Sequence, residues 1–342
     1  MNATFSVCTR NQSMDLAKLI ASFFVVFLHV PFPGQISQII GCLARFAVPL
    51  FFILAGYFSF QASSRTLLRR AKHILVLIAA GSALHIFWQL LSPLLWGGTL
   101  QDGISTLSLT CDDFWGWLLL NINPFAGHLW FLSALFRCYL LLWLYTRIQG
   151  ASPSYRPLYW AGLALLLANF LLGQYAGALG LSVPYQLPRS TLLTGIPLLC
   201  LGIFLREYSQ RIAPSSRMLA ALMVLGGILS LWQQHRWGAS DLSSGIVILS
   251  VCVVMLLSRY PNLPLPAFLA SRFGPWSTGV YLVHLVVLEY YRALRQYPLQ
   301  QALGAQEALL QPIWVLGISL LVSILFDSLA LAGRKLLSAC RR

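Results

Sequence analysis

Long apolar runs are the feature that most constrains how this chain can fold. A helix needs about 20 apolar residues to cross the hydrocarbon core of a bilayer, and the chain contains ten runs of that kind. Of its 342 residues, 58% are hydrophobic and 9% are charged, against roughly 25% charged in a soluble domain. The sequence therefore predicts a single all-α membrane domain over residues 1–342, a polytopic bundle of about ten transmembrane helices. The predicted spans are 14–33, 41–60, 72–96, 128–147, 157–176, 190–206, 217–234, 242–258, 276–292 and 312–333.

The distribution of basic residues predicts the orientation of this bundle. The chain has 23 basic and 9 acidic residues, a net charge of +14. With a cytoplasmic N-terminus, sixteen Lys and Arg residues fall on the cytoplasmic side, and an even number of spans places both termini there. This bias explains most of the net positive charge, so the charge does not require a nucleic-acid partner. Membrane lipids are the expected anionic partners. Five arginines fall on the outer side: Arg45, Arg189, Arg236, Arg292 and Arg295.

The first predicted span carries polar residues along one helical face. Asp15, Lys18, Ser22 and His29 fall within a sector of about 60° at the helical repeat of 3.6 residues. A charge at the bilayer centre costs roughly 2.5 to 3.5 kcal/mol on insertion scales, so such residues tend to mark function. Lys18 could instead reach the inner surface beside Asp15, and His29 could be a structural histidine. The shared face favours a common polar cavity, with Ser22 in its wall.

The chemistry of this face points to group transfer. A neutral His29 imidazole is a candidate general base that could take the proton from an attacking hydroxyl. Lys18 lies eleven residues earlier, about 16 Å along the helix axis, and could hold an anion near the cytoplasm. This spacing suits a long donor with phosphates at one end and a reactive group at the other, a shape that coenzyme A has.

A second candidate site is the basic stretch SSRTLLRRAKHI, residues 63–74, in the first predicted cytoplasmic loop. Arg69 and Lys72 are spaced i, i+3 at the start of the third span, where they could clamp one phosphate group, with Arg70 beside them. The cluster could equally reflect the positive-inside rule or contact with anionic lipid headgroups. The seven cysteines contain no C-x-x-C pair, so the sequence predicts neither a disulfide framework nor a metal site.

Lys18 and His29, separated by ten residues and followed by Arg69-x-x-Lys72, resemble the acyltransferase-3 family of integral-membrane acyltransferases. RFAVPLFFILAGYF, GHLWFLSALF and STGVYLVHLVV, at residues 45–58, 127–136 and 277–287, resemble that family in the same order. The similarity covers most of the chain. The family usually has Arg where Lys72 stands, so the charge remains while the planar bidentate fork is lost.

The resemblance implies transfer of an acyl group, usually acetyl, across the bacterial inner membrane to an envelope glycan or lipid-linked sugar. Acetyl-CoA would be a co-substrate, with no bound cofactor. His29 matches the histidine implicated in catalysis by the family, and Lys18 matches its upstream basic residue. The identity of the acceptor, the acyl chain and the oligomeric state remain open.

Four further residues are candidates for the same site. Arg137, halfway through the fourth span, could steady donor phosphates or form a structural ion pair with Asp327, Glu289 or Asp15. Trp130 is either an interfacial aromatic residue or part of the acceptor pocket. His284 and Glu289, in the ninth span, could line the cavity or serve structural roles.

Two other classes of function fit parts of the pattern. Ten spans with intramembrane charges also describe a transporter or a flippase for a polysaccharide precursor, although no internal repeat is evident. A non-catalytic membrane sensor would leave the aligned polar face as a coincidence. We therefore expect an O-acyltransferase with His29 as general base.

Overall fold

The computed structural model describes residues 11–107, 109–150, 152–209, 211–212, 214–294 and 305–339. Throughout these residues the chain is helical, with turns and loops and without β-strands. The sequence-based prediction of an all-α polytopic bundle is confirmed. The predicted cytoplasmic placement of the termini concerns residues 1–10 and 340–342, which lie outside the described part of the chain.

Short and long helices alternate along the chain. The α-helices are α1 Gln12–His29, α2 Gln35–Ala44, α3 Ala47–Tyr57, α4 Ser64–Leu95, α5 Leu100–Ser105, α6 Cys111–Leu120, α7 Trp130–Gln149, α8 Arg156–Asn169, α9 Ile196–Tyr208, α10 Ser216–Trp237, α11 Ser244–Arg259, α12 Ala267–Ala270, α13 Phe273–Leu294 and α14 Ala305–Ala339. A 3₁₀ turn, Gly127–Leu129, leads into α7, and π-helical turns flank the loop between α8 and α9.

Eight helical segments in the described residues are long and apolar enough to cross a membrane. All ten predicted spans contain a helix. Two of them fall outside the eight, because α11 has 16 residues and α13 carries polar residues in its second half, among them His284, Glu289 and Arg292. The eight segments are Gln12–His29, Gln35–Tyr57, Ser64–Leu95, Gly127–Gln149, Arg156–Gln174, Thr191–Tyr208, Ser216–Trp237 and Gln306–Leu336.

The second predicted span is divided in two at Arg45 and Phe46, between α2 and α3. Pro49 explains the position of this break. A proline within a helix has no amide hydrogen, and its ring collides with the carbonyl four residues earlier, which here belongs to Arg45. Arg45 and Phe46 keep right-handed helical backbone angles, so α2 and α3 together still form one apolar segment, Gln35–Tyr57.

Close helix packing holds the centre of the bundle. A Cβ atom added to Gly56 of α3 would lie 2.0 Å from the Leu199 carbonyl oxygen, and one added to Gly202 of α9 would lie 2.0 Å from the Ile53 carbonyl oxygen. The backbones of α3 and α9 therefore approach as closely as small residues allow, the arrangement that favours helix association in membranes.

Helix α1 lies at the centre of the bundle and packs against α2, α3, α11 and α13. The Ser277 hydroxyl of α13 donates to the Lys18 carbonyl oxygen of α1, at 2.8 Å. This bond ties the two helices together beside Lys18. The polar face of α1 is therefore enclosed by other helices over most of its length.

The segment between α4 and α7 contains the short helix α6, whose ten residues include none that is buried. Its N-terminus is a capping box between Thr110 and Asp113. The side chain and backbone amide of Thr110 donate to the Asp113 carboxylate and hold its pKa below the usual value. At about 15 Å, α6 is too short to span a bilayer.

Candidate active site

The first cavity, here called the Lys18 cavity, has a volume of about 520 Å³. One wall is basic and the other apolar, as expected for a site that takes a molecule with a charged end and an uncharged arm. Its basic residues are Lys18, Arg69, Arg70 and His73, and its apolar wall includes Phe51, Phe58, Leu132, Leu135, Phe131 and Tyr281.

Lys18 reaches this cavity from α1 while remaining paired with Asp15. Its Nζ lies 2.9 Å from Asp15 Oδ1 and 5.2 Å from the centre of the Phe58 ring. The Lys18 side chain is 28% exposed, whereas that of Asp15 is 10% exposed. The ion pair expected from the i, i+3 spacing is thus present, and it orients the ammonium group at the cavity wall.

The residues of the basic stretch that line the Lys18 cavity differ from the predicted phosphate clamp, Arg69 and Lys72. Arg69, Arg70 and His73 line the cavity, and Lys72 does not. On a helix, His73 lies about 40° from Arg69, whereas Lys72 lies about 60° away in the opposite direction. Arg70 donates to the Phe58 carbonyl oxygen and the Ser59 hydroxyl, both at 2.9 Å, which holds α4 against the end of α3.

The sequence analysis did not select His73, although this residue lies in the basic stretch. Its i, i+4 spacing from Arg69 was the signal that could have found it. Arg69 lines the Lys18 cavity, whereas Lys72, its partner in the predicted phosphate clamp, is exposed on another face of α4.

The second cavity, the His29 cavity, has a volume of about 270 Å³. His29 ends α1, and its side chain is exposed toward this space. Trp130 lies in the same wall, as one of its two sequence interpretations predicted. The cavity is polar and charged, with lining residues that include His29, Arg45, His128, Trp130, Arg189 and Asp241.

The two cavities share the side chains of Phe131 and Tyr281. Their rings meet edge to face, with centroids 5.8 Å apart. The Tyr281 hydroxyl donates to the His128 carbonyl oxygen, which fixes the tyrosine at this junction. The Lys18 and His29 cavities are therefore neighbours, with an aromatic pair between them.

Four histidine rings gather beside this junction. The His29 ring lies 5.2 Å from that of His284, which lies 5.1 Å from His128. His128 in turn lies 5.1 Å from His85. His85, His128 and His284 are buried, whereas His29 faces the cavity. Among the described residues, no group of three or more His, Cys, Asp or Glu side chains is arranged to hold a metal ion.

Of the three buried histidines, the sequence analysis selected only His284, as a residue that could line the cavity. His284 and His85 both lie within predicted spans, where an ionisable side chain is already a signal of function. His128 precedes α7 in the 3₁₀ turn, at the first residue of the fourth predicted span. The packing of α1, α4, α7 and α13 brings the four histidines together, and no local sequence pattern specifies that packing.

Five predicted site residues line neither cavity: Lys72 and His284, described above, together with Ser22, Glu289 and Arg137. Ser22 is fully buried and donates to the Leu19 carbonyl oxygen of its own helix, at 2.7 Å. Glu289 is exposed on α13 and accepts a hydrogen bond from the Trp88 indole. The geometry does not bring either residue to His29.

Arg137 also lines neither cavity, and it holds the segment around α6. Its guanidinium group donates to the Asn121 side chain and the Trp117 carbonyl oxygen and lies 5.1 Å from the centre of the Trp117 ring. Two of the three acidic residues considered as its ion-pair partners pair with other cations, Asp327 with Arg272 at 3.4 Å and Asp15 with Lys18 at 2.9 Å. Arg137 therefore lies apart from Lys18 and the other cations of the Lys18 cavity.

The fold and its two adjacent cavities define a multi-pass membrane protein with a polar site enclosed by its helices. The family model of the acyltransferase-3 family, described as an acyltransferase domain, matches residues 11–328. The chain belongs to this family, and it is a membrane acyltransferase. Comparisons with curated proteins and with solved structures gave no match.

Proposed function

We propose that this acyltransferase moves an acyl group, acetyl in the simplest case, from acyl-CoA to a hydroxyl of an envelope glycan or lipid-linked sugar. The observation that carries the proposal is the meeting of a basic cavity and an imidazole cavity at Phe131 and Tyr281. The positive-inside bias supports a cytoplasmic opening for the Lys18 cavity, in a bacterial inner membrane. The acceptor would then reach His29 from the outer side.

The donor in this scheme lies in the Lys18 cavity. Lys18, Arg69 and Arg70 bind the phosphates of coenzyme A through charge-assisted hydrogen bonds, which are roughly twice as strong as neutral ones. The uncharged arm of the donor lies along the apolar wall that includes Leu132 and Leu135. The thioester then points toward the junction with the His29 cavity.

His29 acts as the general base. It accepts the proton of the acceptor hydroxyl as that oxygen attacks the thioester carbonyl carbon. A carbon–oxygen bond forms, the carbon–sulfur bond breaks, and the proton passes from the imidazolium to the departing thiolate, so the products are an ester and free coenzyme A. General-base catalysis of this kind contributes roughly 10²- to 10⁴-fold, and the rest comes from holding the two substrates at the junction.

The test uses inverted membrane vesicles supplied with radiolabelled acetyl-CoA. Wild-type vesicles should transfer label to an envelope glycan, and His29→Ala vesicles should lose at least 100-fold of that transfer. The exposed His235 provides a matched control, since His235→Ala removes an imidazole that lines neither cavity. Undiminished transfer by His29→Ala would exclude this base. Movement of a glycan precursor without covalent labelling would favour a transporter or flippase.

A further inference from the structure

Two of the five arginines assigned to the outer side converge on the His29 cavity. Arg189 donates to both carboxylate oxygens of Asp241, with Nη2 3.1 Å from Oδ1. Arg45 Nε lies 3.9 Å from the same Oδ1. One carboxylate balances one of the two guanidinium groups, so these three side chains leave a surplus of one positive charge in the cavity wall.

Neither membrane topology nor loop anchoring accounts for this surplus. The positive-inside rule acts against basic residues on the outer side. One arginine is enough to hold the loop that carries Asp241, and Arg189 does so by donating to both carboxylate oxygens. Arg45 has a buried Nε without a hydrogen-bond partner, although its Nη1 donates to the Gly41 carbonyl oxygen at 2.8 Å and to Gln234 Oε1 at 3.4 Å.

We propose that the His29 cavity is built for an anionic acceptor, in which a carboxylate or phosphate lies near the hydroxyl to be acylated. This inference rests on the proposed function. Arg45 and Arg189 would contact the anion, since a planar guanidinium fork matches the oxygens of both groups. Trp130, 5.9 Å below the Arg189 guanidinium carbon, forms the adjoining wall. A sugar acid supplies the carboxylate, and a sugar linked to lipid through phosphate supplies the alternative.

Mass spectrometry of envelope glycans, with and without the protein, tests the charge of the acceptor. We expect the added acyl group on a unit that carries a carboxylate, or on a lipid-linked sugar phosphate, and the mass of the fragment distinguishes the two. An acyl group confined to a neutral glycan without phosphate linkage would overturn the inference and leave the proposed acyltransferase function intact. An unchanged glycan profile would contradict that function and this inference together.

Arginine variants test the same inference on the enzyme itself. Arg45→Gln should raise the half-saturating concentration of the acceptor fraction roughly tenfold or more, the range for loss of a charge-assisted bond. Arg45→Lys, which keeps the charge, should recover part of this loss. The half-saturating concentration of acetyl-CoA should stay unchanged in both. Equal acceptor dependence in wild type and Arg45→Gln would overturn the assignment of Arg45.

A second inference stands on the hydrogen bonding of His284. Its Nδ1 lies 2.8 Å from the Tyr281 carbonyl oxygen and 3.2 Å from that of Val280. A carbonyl oxygen only accepts, so Nδ1 carries the proton and Nε2 carries the lone pair. His284 is fully buried, and its Nε2 has no hydrogen-bond partner. A buried acceptor of this kind costs free energy unless it serves a role.

We infer that His284 is a positioning residue that selects the tautomer of His29. The His29 ring, 5.2 Å away and open to the cavity, can donate one ring N–H to His284 Nε2. Its other nitrogen would then lack a proton and face the acceptor hydroxyl, as a base must. Catalytic hydrogen bonds often reach their final length only in the substrate complex. His128 is less well placed to accept a hydrogen bond from His29, because the two rings lie 6.4 Å apart.

The test compares His284→Leu with His284→Gln, whose side-chain oxygen can still accept a hydrogen bond. For His284→Leu, kcat for acetyl transfer should fall at least tenfold while the KM for acetyl-CoA stays near the wild-type value, and His284→Gln should recover part of the loss. His235→Gln makes the same substitution at an exposed position and controls for the general effect of replacing a histidine by glutamine. A wild-type kcat in His284→Leu, or an equal loss in both variants at normal folded yield in detergent, would overturn the inference. If His284→Leu does not fold, a His284→Gln protein without measurable transfer would overturn it as well.

Discussion

The Phe131 and Tyr281 rings, 5.8 Å apart, separate the Lys18 cavity from the His29 cavity. In the described part of the chain, these are the two residues common to the walls of both. In the proposed mechanism, an acyl group passing from the donor to the acceptor crosses at this pair. The free space beside the two rings therefore limits the size of the acyl group that reaches the acceptor.

Phe131→Ala should relax the preference for a short acyl group. Removing the ring opens space at the junction, and hydrophobic pockets discriminate chain length by roughly tenfold or more per methylene. The transfer rate for butyryl-CoA relative to acetyl-CoA should rise by about that factor. Direct competition between the two labelled donors measures the ratio. Phe51→Ala is the matched control, because Phe51 contacts Phe131 but lines only the Lys18 cavity; an equal shift in both variants would contradict this role of the junction.

Arg69→Ala should weaken donor binding far more than Lys72→Ala. Arg69 lines the Lys18 cavity, and Lys72 does not. Loss of a hydrogen bond to a charged group costs about 1.5 to 3 kcal/mol, so the KM for acetyl-CoA should rise at least tenfold in the first variant and less than twofold in the second. Steady-state transfer assays in vesicles measure both. A larger effect of Lys72→Ala would restore the clamp predicted from the R-x-x-K spacing.

Gly56→Ala should destabilise the whole bundle. The new methyl group would meet the Leu199 carbonyl oxygen at 2.0 Å, and a backbone contact cannot move aside as a side chain can. The cost should be at least about 3 kcal/mol, the upper end for ordinary overpacking. Thermal unfolding in detergent measures it. Gly317→Ala, at a helical position with open space around the Cβ, should unfold near the wild-type temperature; equal losses would argue against the close α3 to α9 contact.

Arg137→Gln should loosen α6 without changing the affinity for the donor. The guanidinium group bonds to Asn121 and to the Trp117 carbonyl oxygen, so its loss frees the segment that follows α6. Hydrogen exchange should accelerate over residues 111–121, while the KM for acetyl-CoA stays within about twofold, since Arg137 lies outside the Lys18 cavity. A higher KM with unchanged exchange would instead support the sequence-based assignment of Arg137 to donor phosphates.

The accuracy of the sequence-based predictions depended on how many helices each feature involves. Lys18 and His29 lie on one helix, so helical geometry alone set their shared face and their separation. Which residues of the basic stretch line the Lys18 cavity depends on how α4 is rotated against the helices on which it packs, mainly α7. Arg70 is also fixed by its bonds to Phe58 and Ser59, which are 12 and 11 residues away in the chain.

The sequence by itself determined a multi-pass helical membrane protein with a polar face on its first helix, because apolar length and the 3.6-residue period are properties of single segments. Only the tertiary structure decided that His29 lies against His284, that Arg45 and Arg189 meet at Asp241, and that Arg137 supports α6. These contacts join helices far apart in the chain. Helical periodicity specifies which residues share a face, whereas side-chain packing between helices determines which faces meet.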